Sequence, residues 1–196
     1  MDIWVEGSIY DVQNVGGISR IFDEILPLIG KKWNLGKIKI LSLPRQNRSC
    51  PVQENLEFVS AGFFLKWIHL SQSSILSKVL RFLVWQYWFI YCSFKPAAIW
   101  FSSYYKKPYR WKGKQVFLVA DLIHDRFSNL FSGNDNARFR RQRKNYLRQA
   151  DAIISISYAT AEDLKKYYDI NPERIHVVYL AQSKDFKQIS KPQEVY

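Results

Sequence analysis

Apolar positions along this chain fall into short continuous runs separated by stripes of helical period. Asp2 to Val5 is the first run and predicts a strand. Ile18, Ile21, Phe22, Ile25, Leu26 and Ile29 then lie on one face of a helix, which Pro27 is expected to kink by removing a backbone donor. Between run and stripe stands Asn14-Val15-Gly16-Gly17-Ile18-Ser19-Arg20, so that strand, glycine turn and helix form one unit. Further strands are predicted at Lys37 to Leu43, Leu56 to Ala61, Ala98 to Ser102, Lys114 to Ala120, Ala152 to Ile156 and Ile175 to Tyr179. Pro44 to Pro51 is polar and turn-rich and reads as a surface loop. Helical stretches separate the later strands. One runs to about Gln149 with Asp135 or Asn136 as its cap; another ends near Tyr168, with Thr160-Ala161-Glu162-Asp163 as a capping box before it. Strands that alternate with helices, and that are apolar throughout, predict an α/β fold with a Rossmann-like, doubly wound, mostly parallel sheet.

One stretch departs from this rhythm. Ile75 to Phe94 is apolar on nearly every side; Val79, Leu80, Leu83, Val84, Tyr87 and Tyr91 mark one helical face, and Phe82, Trp85, Trp88 and Phe89 spread around the others. A helix of that kind is buried or in contact with lipid. Its uncharged part is shorter than the roughly 20 residues a membrane span needs, and Lys78 and Arg81 stand at its start, so a transmembrane helix is rejected. Packing against a sheet is the expected role. With Phe63, Phe64 and Trp67 upstream and cations nearby, the alternative is a helix lying on a membrane interface.

Composition adds one strong constraint. The formal net charge is +12 over 196 residues, which points to a polyanionic partner: nucleic acid, an anionic membrane surface, or a phosphorylated substrate. Cys50 and Cys92 are too few for a disulfide framework and belong to no metal-type pair, which suits a reducing cytoplasm. The amino terminus runs directly into a strand, and no secretory signal is expected. No metal or cofactor is expected either.

In a doubly wound sheet, ligands sit at the carboxyl ends of the strands. That rule gathers Gly16 and Gly17, Ser102 to Tyr105, Asp121 to Asp125, and Ser157 to Thr160 on one rim. Glycine accepts positive φ and lets a ligand approach the backbone, and the first-turn amides of the helix that follows favour an anion such as a phosphate. Tyr104 and Tyr105 offer rings for stacking on a sugar or on their own domain. Asp121 and His124 are the candidate catalytic groups, set against simple bonding to neighbouring backbone; Ser157 and Thr160 read as helix caps. A different class of function would use the helix carrying Arg138, Arg140, Arg141, Arg143, Lys144 and Arg148 with no acid among them. Arg140, Arg141, Lys144 and Arg148 share one face there, while Phe139, Tyr146, Leu147 and Ala150 supply an inner stripe. Nucleic acid is the disfavoured partner for that face, since no nucleic-acid motif accompanies it.

The motifs Gly16-Gly17-Ile18-Ser19-Arg20, Val119-Ala120-Asp121-Leu122-Ile123-His124-Asp125-Arg126-Phe127, Ala150 to Ser157 with Thr160 and Asp163-Leu164, and Arg174 to Leu180 with Phe186 occur in order along nearly the whole chain. Together they resemble the amino-terminal half of a retaining family 4 glycosyltransferase. The resemblance implies one half of a GT-B fold, with residues 1–182 as the acceptor-side Rossmann-like domain and 183–196 as a polar tail or the start of an interdomain linker. It implies hexosyl transfer from a nucleotide-sugar with retained configuration, without a bound metal. Gly16, Gly17, Arg20, Tyr104 and Asp121 are then the substrate-binding residues, with Gly16 and Gly17 approaching the donor's phosphates. It implies a glycan or lipid-linked acceptor, and a cytoplasmic location, peripheral at the inner face of the membrane. Two departures stand out. The family usually carries a histidine where this chain has Ala120, and alanine neither shuttles a proton nor hydrogen-bonds through its side chain. The family's paired glutamates and its donor-binding domain have no counterpart in these residues, so donor binding is expected only with a second domain or partner chain. A non-catalytic remnant is the remaining alternative.

Overall fold

The computed structural model describes residues 1–12, 15–41, 51–59, 74–94, 98–102, 106–130 and 134–182. Tyr104 and Tyr105, Phe63, Phe64 and Trp67, and nearly all of the loop expected between Pro44 and Pro51 lie outside them. Among the described residues seven strands form one sheet: β1 (Ile3–Glu6), β2 (Ile38–Leu41), β3 (Leu56–Val59), β4 (Ile99–Ser102), β5 (Lys114–Val119), β6 (Ala152–Ser155) and β7 (Ile175–Val177). Their spatial order is β3-β2-β1-β4-β5-β6-β7, and every neighbouring pair is parallel. This is the doubly wound, Rossmann-like arrangement. The order reverses beside β1, which pairs with β2 on one side and β4 on the other.

The helices among the described residues are α1 (Ser8–Val12), α2 (Gly17–Lys32), α3 (Ser74–Ser93), α4 (Ile123–Arg126), α5 (Asn134–Gln149) and α6 (Tyr158–Tyr168), with a 3-10 turn at Pro172–Arg174. Successive strand residues point to opposite faces, so each apolar strand supplies two cores. Ile3, Val5, Phe101 and Leu118 pack with Phe22 and Leu26 of α2. On the opposite face Trp4 and Trp100 pack with Val84, Trp85, Trp88, Phe89 and Cys92 of α3. Farther along that face, Phe117, Val119 and Ile153 meet Leu147 of α5 and Leu164 and Tyr168 of α6.

Several expectations need correction. A short helix, α1, intervenes between β1 and the glycine pair, so the first unit is not strand, turn and helix alone. The inner face of α3 is Val84, Trp85, Trp88, Phe89 and Cys92; Val79, Leu83 and Tyr87, assigned to the marked face, are exposed. The bulky rings win because they fill the space over Trp4 and Trp100. Helix α5 already includes Asp135 and Asn136, beginning at Asn134. The cap of α6 is Ser157, whose hydroxyl accepts from the Thr160 N–H at 3.1 Å, so Thr160 lies inside the first turn instead of opening a capping box. Strand β7 ends at Val177, although Val178 N–H still donates to Ser155 O at 2.8 Å.

The exit of β1 is tightly constrained. Gly7 N–H donates to Leu41 O at 2.9 Å, and a Cβ at Gly7 would stand 2.5 Å from that oxygen and 2.9 Å from Ile40 Cγ2. Gly7→Ala is therefore expected to destabilise the domain by about 2–3 kcal/mol through overpacking against backbone. Urea unfolding would show it as a lowered midpoint with an unchanged slope.

Candidate active-site rim

Where the strand order reverses, the carboxyl ends of adjacent strands leave a crevice for ligands. Here those ends are Glu6 of β1 and Ser102 of β4, which are register partners. Glu6 is fully buried. Its Oε2 accepts from Ser102 Oγ at 2.8 Å, and its Oε1 accepts from Ser8 N–H at 3.1 Å and from the Ser8 hydroxyl. Ser102 Oγ in turn accepts from Lys106 N–H at 3.4 Å. Burial pushes the Glu6 carboxyl above its usual range, against the Lys106 charge and the Ser8 and Ser102 donors, which pull it down. The one carboxylate thus ties the start of α1 to the end of β4. Sequence reading passed over it, because an acid after three apolar residues looks like the point where a strand meets water. Serines two residues on and at the end of β4 were the available signal.

The glycine pair has a different geometry from the one expected. Gly16 caps α2 with φ −171° and ψ 159°, extended backbone that any residue adopts, so positive φ is not the reason for glycine there. No side chain caps this helix end. Among the described residues a Cβ at Gly17 would meet nothing within 4 Å, so there is open space beside this residue of the first turn. Arg20 is exposed one turn along, its N–H donating to Gly16 O at 3.0 Å.

At the end of β5, Asp121 is exposed and its Oδ1 accepts from Ile123 N–H at 3.2 Å, the local backbone bond that starts α4. His124 is half-buried, edge-on to the Phe139 ring at 6.3 Å. Among the described residues no three His, Cys, Asp or Glu side chains converge as metal ligands.

A family model for glycosyltransferase family 4 matches residues 52–181, well over half of the 196 residues. The chain belongs to glycosyltransferase family 4. Among curated proteins none matches it. The matched stretch runs from just before β3 to just past β7 and includes Asp121, His124 and Ser157; Glu6, Gly16, Gly17 and Arg20 lie ahead of it.

Within this family 4 domain, several rim residues are committed to holding the rim. Ser157 and Thr160 hydroxyls lie 3.0 Å apart, and Thr160 Oγ1 donates to Ala120 O at 3.2 Å, linking the turn after β6 to the end of β5. Ala120 thus contributes to the rim through its carbonyl. Beneath His124 sits a buried pair that the sequence did not reveal: Arg143 of α5 is ion-paired with Asp125, with side-chain exposures of 3% and 7%. Tyr168 joins them, its hydroxyl accepting from Arg143 Nε at 2.7 Å and donating to Asp125 Oδ1 at 2.6 Å. Arg143 also lies over the Phe139 and Tyr168 rings at 5.1 and 5.5 Å. An arginine in a run of arginines reads as solvated, and only the packing of α4, α5 and α6 turns this one inward.

Two outcomes follow from these groups. Because burial raises the Glu6 pKa in the folded state, the native protein binds a proton more tightly there than the unfolded chain does. Relative to Glu6→Gln, the natural domain should be favoured most at pH near or below about 4.3, the unfolded glutamate value, and lose that advantage as pH rises through the raised pKa. Urea unfolding of both proteins across that range would read it, and parallel stability curves would contradict it. Arg143→Ala strands the Asp125 carboxylate in the interior, and a loss of about 3–5 kcal/mol is expected from the same measurement.

Proposed function

We propose that this domain is the acceptor-side half of a retaining GT-B glycosyltransferase that moves a hexosyl group from a nucleotide-sugar to a surface-polysaccharide or lipid-linked acceptor. The observation that supports this reading most is the open space at Gly17, in the first turn of α2, the long helix between β1 and β2. Backbone N–H groups at a helix amino terminus stabilise a phosphate, and a glycine without a side-chain contact of its own leaves the phosphate room to reach them. In the transfer, the bond between the anomeric carbon and the phosphate oxygen breaks as the acceptor oxygen takes the sugar. The acceptor hydroxyl gives its proton to an oxygen of the leaving nucleoside diphosphate, whose remaining negative charge the helix end favours. Arg20, one turn along on α2, adds a cation, and Asp121, exposed after the end of β5, accepts from an acceptor hydroxyl on this reading. The rest of the donor is held by a second domain or a partner chain.

The test uses the protein or complex that carries both halves, a labelled nucleotide-sugar, and a membrane extract as acceptor source. Gly17→Val adds a side chain that meets nothing in the domain itself, so its thermal midpoint should stay within a few degrees of the natural protein. Transfer of label should fall by about ten- to a hundredfold, the scale of a small displacement at a reacting centre. Full activity in Gly17→Val would remove the phosphate role of this turn. Transfer by residues 1–196 alone would overturn the division of labour between the two halves.

A further inference from the structure

After β5 the chain sets two polar groups, Asp121 and His124, on or beside a single helical turn. That turn, α4, is four residues long, Ile123–Arg126. A helix so short is not stable by itself, because it fixes several backbone dihedrals for very few hydrogen bonds. Asp125 and Arg126 N–H donate to Leu122 O at 3.0 and 2.9 Å, and Phe127 N–H donates to Ile123 O at 3.0 Å. Asp121 belongs to the same turn through its Oδ1, which accepts from Ile123 N–H at 3.2 Å. Ile123, Arg126 and Phe127 are exposed, so burial of these side chains is not what holds the turn. Its anchors are tertiary.

Leu122 is one of them, packed with Phe117, Leu147 and Leu164. Helix α6 supplies two more from buried residues eight apart, Thr160 and Tyr168. Thr160 Oγ1 donates to Ala120 O at 3.2 Å, immediately before Asp121, and the Tyr168 hydroxyl donates to Asp125 Oδ1 at 2.6 Å, immediately after His124. Arg143 of α5 completes the set. It pairs with Asp125, donates from Nε to the Tyr168 hydroxyl at 2.7 Å, and lies 5.1 Å over the Phe139 ring, which meets His124 edge-on. One guanidinium therefore fixes both the residue that follows His124 and the ring on which His124 packs.

Stability alone does not call for such a cluster. Burying two charges costs desolvation of both, and apolar residues of similar volume often give equal or greater stability. Direction is what apolar packing does not supply. A planar guanidinium, together with a hydroxyl that accepts from one partner and donates to the other, holds a carboxylate at a set distance and angle. We infer that Asp125, Arg143 and Tyr168 are positioning residues, a buried clamp that fixes the turn carrying Asp121 and His124 for the transfer reaction. The kinetic consequence rests on the proposed function; the clamp itself does not.

The test compares the natural protein with two variants. Tyr168→Phe removes only the hydroxyl, and a combined variant, Asp125→Leu with Arg143→Met and Tyr168→Phe, makes the whole cluster apolar. The thermal midpoint of the combined variant should stay near the natural value. Hydrogen–deuterium exchange at the amides of Asp125, Arg126 and Phe127 should rise by about tenfold in both variants, with the amides of β5 and β6 unchanged. In the protein or complex that carries both halves, kcat for transfer of labelled sugar should fall by about tenfold or more, the effect of a small misplacement near the reacting atoms. KM for the nucleotide-sugar should stay within about twofold, since the donor is held by α2 and the second half. Full kcat in variants that keep their thermal midpoint would make the cluster purely structural and overturn the inference. Unchanged exchange at the turn would overturn it equally. Absence of transfer by the natural protein would remove the proposed function instead, and exchange at the turn would then decide the clamp by itself.

Discussion

Every feature of this domain depends on β1 being hydrogen-bonded on both sides to parallel neighbours. A strand in that position is screened from water on both faces, which is why Ile3, Trp4, Val5 and Glu6 are all buried. Parallel pairing also forces each connection to return across the sheet: α2, between β1 and β2, lies on one face, whereas α3, which leads across the reversal into β4, lies on the other together with α5 and α6. The crevice at the carboxyl ends is a consequence of that reversal. Glu6, at the carboxyl end of β1, survives burial because Ser8 and Ser102 supply donors to both of its oxygens.

The same reversal explains the uneven distribution of aromatic residues. Helix α3 carries the chain across the face that Trp4 and Trp100 present, and their large flat surfaces are covered by Trp85, Trp88 and Phe89. Trp100 is further fixed by donating from Nε1 to Lys106 O at 2.8 Å, which holds the segment after β4 against the sheet. Rings so disposed consume one side of α3 and leave the other side equally apolar. Burial in the core therefore does not account for the composition of this helix.

Charge shows a comparable division. The +12 balance is a property of the whole chain, yet its arginines serve separate ends. Arg143 is inside, paired with Asp125 and Tyr168; Arg138 lines a cavity between α3 and α5; Arg174 donates to the carbonyls of Arg148 and Ala150 and closes the carboxyl end of α5. A nucleic-acid face built from all the arginines of α5 loses Arg143 to the interior.

The amino-acid sequence by itself determined the class of fold and the order of the strands, because continuous apolar runs are local signals. It also marked Asp121 and Ser157 as residues that follow the carboxyl ends of β5 and β6, which parallel topology places on one side. Tertiary structure alone decided which side of α3 packs, because a helix apolar all round carries no periodic preference until the sheet's rings choose one. It decided that Ser157 and not Thr160 caps α6, a matter of where the chain turns after β6. It decided, too, that Glu6 and Arg143 are interior: their partners Ser102 and Asp125 are distant in sequence, and a buried charge is distinguishable from a solvated one only once the groups that satisfy it have been brought together.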